Sequence, residues 1–174
     1  MSAETRWLTG WEKKADELPA FETSVAPALK GDVLEADEMW SFVRKKTLKR
    51  WLWLVLCRRT RQIIAYVIGG RCRKTCRLLW SRIPIGYRYK RCFTDFYQAY
   101  SGVVPARHHR ACGKEEGQTN HVERFNLTLR RRLARLARKT LSFSKSERMH
   151  AFFVRWFLTE HNQACLKRLE KNSP

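Results

Sequence analysis

Two uninterrupted apolar runs stand at the centre of the chain, Trp51 to Cys57 and Ile63 to Ile68. The stretch Arg58-Arg59-Thr60-Arg61-Gln62 between them is short and charged, and Gly69-Gly70 closes the second, which predicts neighbouring strands joined by a turn. Continuous rather than alternating hydrophobicity means that both faces of each strand are covered. Upstream, the apolar and acidic run Val33 to Asp37, bounded by Gly31, predicts a first strand. Downstream, Cys76, Leu79, Trp80 and Ile83 recur at helical spacing over Lys74 to Ile83, ended by Pro84 and Gly86. Tyr87, Tyr89, Arg91, Phe93 and Asp95 fall on one side of an alternating segment, which places Asp95 at or just beyond the carboxyl end of a strand.

The pattern changes at Asn120. Val122, Phe125, Leu129, Leu133 and Leu136 return at steps of three and four and predict a helix through Leu136. A second helix is expected from about Lys145 to Gln163, with Ser144-x-x-Glu147 as its capping box and Met149, Phe153 and Trp156 as the buried stripe. Trp51, Trp53 and Trp80 also sit at core spacings. The order strand, strand, strand, helix, strand, helix, helix argues for an α/β layered domain with a mixed sheet. Pro19, Pro27 and Gly31 break the opening segment, which has too few apolar residues for a core of its own. Residues 1–31 are therefore read as an arm, 32–165 as one domain and 166–174 as a polar tail that frays.

Composition turns this outline into a function class. The 174 residues hold 36 Lys and Arg against 16 Asp and Glu, a net charge of +20, which points to a polyanionic partner. With 44% apolar residues, seven Trp and nine Phe, the chain can still bury enough surface to fold. No apolar run approaches the ~20 residues that cross a bilayer, and Met1 to Lys14 lacks a secretory apolar region, so a cytoplasmic location is expected. Six scattered cysteines form no Cys-x-x-Cys pair and read as reduced thiols. Cys72 and Cys76 lie one helical turn apart, within reach of sharing a metal with His108 or His109, but the second close pair that zinc ribbons use is lacking.

The charge is regional. Residues 1 to 38 carry a net −5, so the remainder carries +25. From Met39 to Thr94 there is no Asp or Glu, and Asp95 ends that stretch. Carboxylates so outnumbered by cations are expected to stay ionised, with depressed pKa values, and to serve as hard oxygen ligands for Mg2+ or Mn2+. A basic surface with a few fixed carboxylates suits two-metal phosphodiester chemistry, in which two ions ~3.5–4 Å apart need two or three convergent carboxylates. The candidate trio is Asp37 on the first strand, Asp95 at a later strand end and Glu123 on the first turn of a helix. Each also has a structural reading: Glu35 and Glu38 are as acidic as Asp37, Asp95 suits a turn cap, and Asn120-x-x-Glu123 fits a capping box. His121 reads as a surface or cap-side residue.

Asp37-Glu38-Met39-Trp40, Thr94-Asp95-Phe96-Tyr97 with Tyr100, Glu123-Arg124-Phe125-Asn126 with Leu129-Arg130, and the block Arg138-Lys139-Thr140-Leu141-Ser142-Phe143-Ser144-Lys145-Ser146 together resemble the InsB-type transposases of small bacterial insertion sequences. The resemblance spans roughly Gly31 to His161. It implies a ribonuclease H-like, three-layer catalytic domain with a five-stranded sheet in the order 3-2-1-4-5, and an Asp-Asp-Glu centre of Asp37, Asp95 and Glu123 holding two Mg2+ or Mn2+ ions. It further implies cleavage of double-stranded DNA at element ends and joining of the freed 3′-hydroxyl to target DNA, by a homo-oligomer on DNA. Similar transposases carry an upstream zinc-binding and helix-turn-helix part, of which Met1 to Lys30 shows no trace, so recognition of element ends is expected from such a partner part. Arg124, Arg130, Arg131 and Lys139 are expected to line the DNA channel, since the excess cations have few acids to meet. Two rivals remain at this point: a basic DNA-binding protein without catalysis, and a structure-selective nuclease of the same fold.

Overall fold

The computed structural model describes residues 17–137, 139 and 141–171. Its centre is a five-stranded sheet of β1 (Val33–Phe42), β2 (Lys49–Cys57), β3 (Ile63–Gly69), β4 (Arg91–Thr94) and β5 (His109–Ala111), in the order β3-β2-β1-β4-β5. β1, β2 and β3 form an antiparallel meander, whereas β4 joins β1 and β5 joins β4 in parallel, so the sheet is mixed as expected. Helices α1 (Arg73–Arg82), α2 (Ile85–Arg88), α3 (Asn120–Arg132) and α4 (Glu147–Lys171) complete the α/β fold.

The continuous apolar runs do cover two faces. Trp53, Val55 and Cys57 of β2 point into a core with Cys76, Leu79 and Ile83 on the α1 side, while Leu52, Leu54 and Leu56 point into a second core with Val122, Phe125, Leu129, Val154 and Leu158 on the α3 and α4 side. The first two strand pairs extend beyond the residues expected, because β1 and β2 continue as a hairpin past the end of β4.

Several expectations are corrected. The alternating segment expected as one strand from Tyr87 begins as the helical turn α2 and becomes β4 only at Arg91; burial of Tyr87, whose hydroxyl donates to Ala26 O at 2.8 Å, holds that turn. The helix from Asn120 stops at Arg132, and a 3-10 turn (Ala134–Leu136) carries Leu136 into the same core. The final helix is not capped by Ser144: Ser146 Oγ accepts from Met149 N at 3.1 Å, and Ser144 Oγ is committed to His150 Nδ1 at 2.9 Å. The helix also continues through Lys171 instead of fraying after Lys167. Its buried face is His150, Phe152, Val154, Leu158, Thr159, Asn162 and Cys165, and Trp156 is 40% exposed. Apolar periodicity misses a face on which buried polar side chains meet backbone and side-chain partners across the fold.

Asn162 shows what those polar groups do. Its Oδ1 accepts from Ile63 N at 2.8 Å and its Nδ2 donates to Ile63 O at 2.8 Å, taking the place of a sixth strand at the start of the β3 edge. Gln62 Nε2 donates to Asn162 O and to Ser24 O, and Gln62 Oε1 accepts from Ala26 N, tying the segment before β1 to the same point. Residues 1–16 of the expected arm lie outside the described residues. No helix among the described residues is long and apolar enough to cross a membrane.

Replacing Asn162 with Ala leaves both polar groups of Ile63 buried without partners. The expected loss is about 3 kcal/mol, and a Tm lower by about 6–12 °C, in thermal unfolding followed by circular dichroism.

Candidate functional site

Parallel pairing of β1 with β4 runs from Val33↔Arg91 to Glu35↔Phe93, and β4 ends one residue later. Asp95 therefore emerges beside Asp37, while β1 continues along β2 with Asp37 opposite Leu54. Asp37, Glu38 and Asp95 each offer a carboxylate oxygen within 4.8 Å of the others. Glu123 comes from the first turn of α3 and lines the same open pocket of about 370 Å³, together with Lys114, Thr119, Asn126, Leu127 and Arg130.

The three acids of β1 have separate fates. Glu35 is fully buried and accepts from Arg58 Nε and His121 Nδ1, both at 2.6 Å, and from the backbone amides of His121 and Val122 at 2.9 and 3.0 Å. It thus clamps the amino end of α3 to β1, where free amides and the helix dipole favour an anion. Glu38 accepts from Arg71 Nη2 and from the Tyr100 hydroxyl, both at 2.8 Å. The Arg71 guanidinium lies between the rings of Trp51 and Tyr97, 4.6 and 4.1 Å from their centroids. Asp37 has no cation partner among the described residues. Its oxygens accept from Glu38 N at 2.8 Å and Asn126 Nδ2 at 2.7 Å.

That isolation sets its acidity. Burial, then the neighbouring charges of Glu38, Asp95 and Glu123, push the Asp37 carboxyl up to about 7. This overturns the expectation that surrounding cations depress it: the cations are numerous in the chain, but Arg58 and Arg71 pair with Glu35 and Glu38, and among the described residues no ion pair reaches Asp37. Asp95 Oδ1 accepts from Tyr97 N at 3.0 Å, and Glu123 Oε1 accepts from the Thr119 hydroxyl at 2.8 Å. The capping box expected at Asn120 is therefore absent; Asn120 is itself the first helical residue.

The donor set suits a hard divalent cation, because several carboxylate oxygens converge where their mutual repulsion is unrelieved. Asn126 adds an independent sign. It is 7% exposed, and its Oδ1 is a buried acceptor without a hydrogen-bond partner. A buried orphan oxygen beside a carboxylate pocket fits a site completed by a group that brings protons, such as metal-bound water.

Of the expected channel residues, Arg130 lines the pocket, while Arg124, Arg131 and Lys139 are exposed outside its lining. Sequence reasoning passed over Glu38, Arg71, Lys114 and Asn126. Glu38 and Asn126 stand inside the motifs quoted for the resemblance, but only the fold shows which neighbour each meets. The cysteine alternative fails: Cys72 is exposed, Cys76 buried, all six thiols are free, and the carboxylates are the only cluster of three metal-capable groups among the described residues.

The family model for the IS1 transposase matches residues 32–164. The insertion element iso-IS1n protein InsB of Shigella dysenteriae is 37% identical over 129 residues, covering 74% of this chain and 95% of that protein. The IS1 protein InsB of Shigella flexneri is 36% identical over 116 residues, 67% of this chain and 86% of its own, and the IS1 4 protein InsB of Escherichia coli K12 is 35% identical, with 67% of each covered. The class is thus that of the insertion-element transposases. Within it, the chain belongs to the IS1 transposase family.

The raised pKa of Asp37 yields a pH-dependent expectation. An unfolded Asp titrates near 3.8, so the folded protein is progressively penalised as pH rises from there to about 7, and fully above it. Asp37→Asn removes the penalty, and Asn126 can turn its amide so that the orphan Oδ1 accepts from the new Nδ2. In metal-free protein the variant should melt higher than wild type, by roughly 10 °C at pH 8 and less at pH 5. Equal melting of the two proteins at both pH values would contradict the unpaired state of Asp37.

Proposed function

We propose that residues 32–165 are the catalytic domain of a transposase that cleaves DNA at the ends of an insertion sequence and joins them to target DNA, with Asp37, Asp95 and Glu123 as its metal-binding acids. The observation that carries this reading is the convergence of Asp37, in mid-β1, with Asp95, just past the end of the parallel strand β4, with Glu123 on the pocket wall and no ion pair to Asp37 among the described residues. Sheet order and the position of the three acids support a ribonuclease H-like, Asp-Asp-Glu architecture.

Two Mg2+ or Mn2+ ions would supply Lewis-acid stabilisation of the attacking and leaving oxygens at phosphorus. Asp37, Asp95 and Glu123 would hold them. Glu38, held by Arg71 and Tyr100, keeps the wall of the pocket negative and fixed. Asn126 Oδ1 is free to accept a hydrogen bond from the attacking water or 3′-hydroxyl and so orient its lone pair. Lys114 and Arg130 flank the carboxylates and meet the phosphate oxygens, and Arg124, Arg131 and Lys139 extend the positive surface along the duplex. The chemistry requires no covalent protein intermediate. DNA is the partner, the working form is a homo-oligomer on DNA, and end recognition rests with an upstream zinc-binding and helix-turn-helix part.

Asp95→Asn should lower Mn2+-dependent nicking of an element-end duplex by on the order of 10²–10³, the scale of losing one major electrostatic stabiliser. DNA affinity should be equal or higher, because a negative charge facing phosphate is gone. Undiminished nicking would reject the reading. Nicking without joining of a pre-nicked end would identify a structure-selective nuclease, and binding without any nicking a non-catalytic DNA-binding protein.

A further inference from the structure

The longest motif of the resemblance, the block ending at Ser146, has none of its described residues in the lining of the carboxylate pocket. In the fold its last residues dock on the turn between β1 and β2. Val43 bridges Ser144, Arg44 N donates to Ser144 O at 2.8 Å, Arg44 Nε donates to Lys145 O at 3.0 Å, and the rings of Phe42 and Phe143 lie 5.7 Å apart. Beneath them, His150 is fully buried between two hydroxyls: Ser41 Oγ is 3.1 Å from its Nε2 and Ser144 Oγ 2.9 Å from its Nδ1. Arg44 is held at φ 64°, a left-handed conformation that a bulky residue adopts only under constraint.

What this joint displays is positive charge. Arg44, Lys45, Lys46, Lys49 and Lys145 are exposed, and segments 39–50 and 139–146 contain no acid. The next acid, Glu147, is engaged by Arg50. Among the described residues no ion pair neutralises Lys45, Lys46 or Lys145. Like charges gathered on a rigid, constrained tip repel one another, and a phosphate backbone relieves that repulsion by displacing small counterions.

Position narrows the use. The hairpin leaves the sheet at the edge where Asp95 lies, and Arg44 is seven residues beyond Asp37, about 23 Å at ~3.3 Å per residue. α3, packed against the same sheet, carries Arg130 in the pocket lining and the exposed Arg131 next to it. We infer that the β1–β2 turn and the segment docked on it form a second duplex-contact surface, gripping backbone phosphates about six to seven base pairs from the phosphate at the carboxylate pocket. The inference rests on the proposed DNA-processing role of that pocket and adds where the flanking duplex is held.

The test compares Lys45→Ala/Lys46→Ala with wild type and with a control, Lys167→Ala/Lys171→Ala, which removes the same charge from the far end of α4. Affinity for a 30-base-pair duplex is measured by fluorescence anisotropy over a salt series. The turn variant should lower the slope of log affinity against log salt by about 2 and weaken binding on the order of tenfold at 0.1 M salt, with an unchanged Tm. The control should leave the slope as in wild type. An unchanged slope in the turn variant, or an equal loss in the control, overturns the inference. Nicking by wild type with Mn2+ is scored separately: its absence rejects the catalytic reading, while the slope still decides whether the turn holds DNA.

Discussion

Three acids along one strand, two of them buried and the third half-buried, impose the constraint around which this protein is organised. A carboxylate removed from water is costly unless a cation or several donors face it. On β1 that requirement is met for Glu35 by Arg58, His121 and the first amides of α3, and for Glu38 by Arg71 and Tyr100. It is left unmet for Asp37, whose carboxyl consequently holds its proton up to about 7. Satisfying two of the three fixes the elements around the third: Glu35 seats α3 and hence Glu123, and Glu38 seats the aromatic group that follows Asp95.

The motif Thr94-Asp95-Phe96-Tyr97 with Tyr100 becomes intelligible on these terms. Tyr97 N donates to Asp95, its ring covers Arg71, and its hydroxyl donates to Arg71 O at 2.9 Å. Tyr100 is 1% exposed and reaches Glu38 directly. Trp53 packs on both rings and donates to Gly70 O at 3.1 Å. A stretch that reads as a strand end plus scattered aromatics is therefore the support that aims two carboxylates into one pocket. The same economy appears at the opposite side of the sheet, where Asn162 and Gln62 close an edge with side-chain amides, and at the hairpin, where His150 joins two serines.

Electrostatics divides the surface by function. Inside the pocket carboxylates are concentrated, and Asp37 has no ion pair among the described residues; outside it, exposed arginines and lysines extend along α3 and the β1–β2 turn. A divalent cation bound in the proposed site would bridge the two regimes, because it would be attracted by the first and would let a phosphate backbone, attracted by the second, approach the first without repulsion.

Much of this was legible in the sequence. The apolar runs of β2 and β3, the helical spacing of α1 and α3 and the strand end at Asp95 are consequences of local period, so they survive folding nearly intact. The boundaries that failed are those set by distant partners: α2 in place of a longer strand, because Tyr87 reaches Ala26; Ser146 in place of Ser144 as cap, because Ser144 belongs to His150. The buried face of α4 was misassigned for the same reason, since His150 and Asn162 are buried by hydrogen bonds rather than by apolarity.

The sequence by itself determined the α/β character, the mixed order of elements, the basic field and the isolation of Asp95 among cations, because composition and periodicity are properties of the chain taken residue by residue, while the choice of Asp37 and Glu123 rested on the family resemblance of their motifs. Only the tertiary structure decided which of Glu35, Asp37 and Glu38 would be left without a cation, that Glu38 and Asn126 share the pocket, and that the final motif block braces a charged turn. Those outcomes depend on pairings across tens of residues, and a side chain's charge acquires a consequence only when the distance to its partner is fixed.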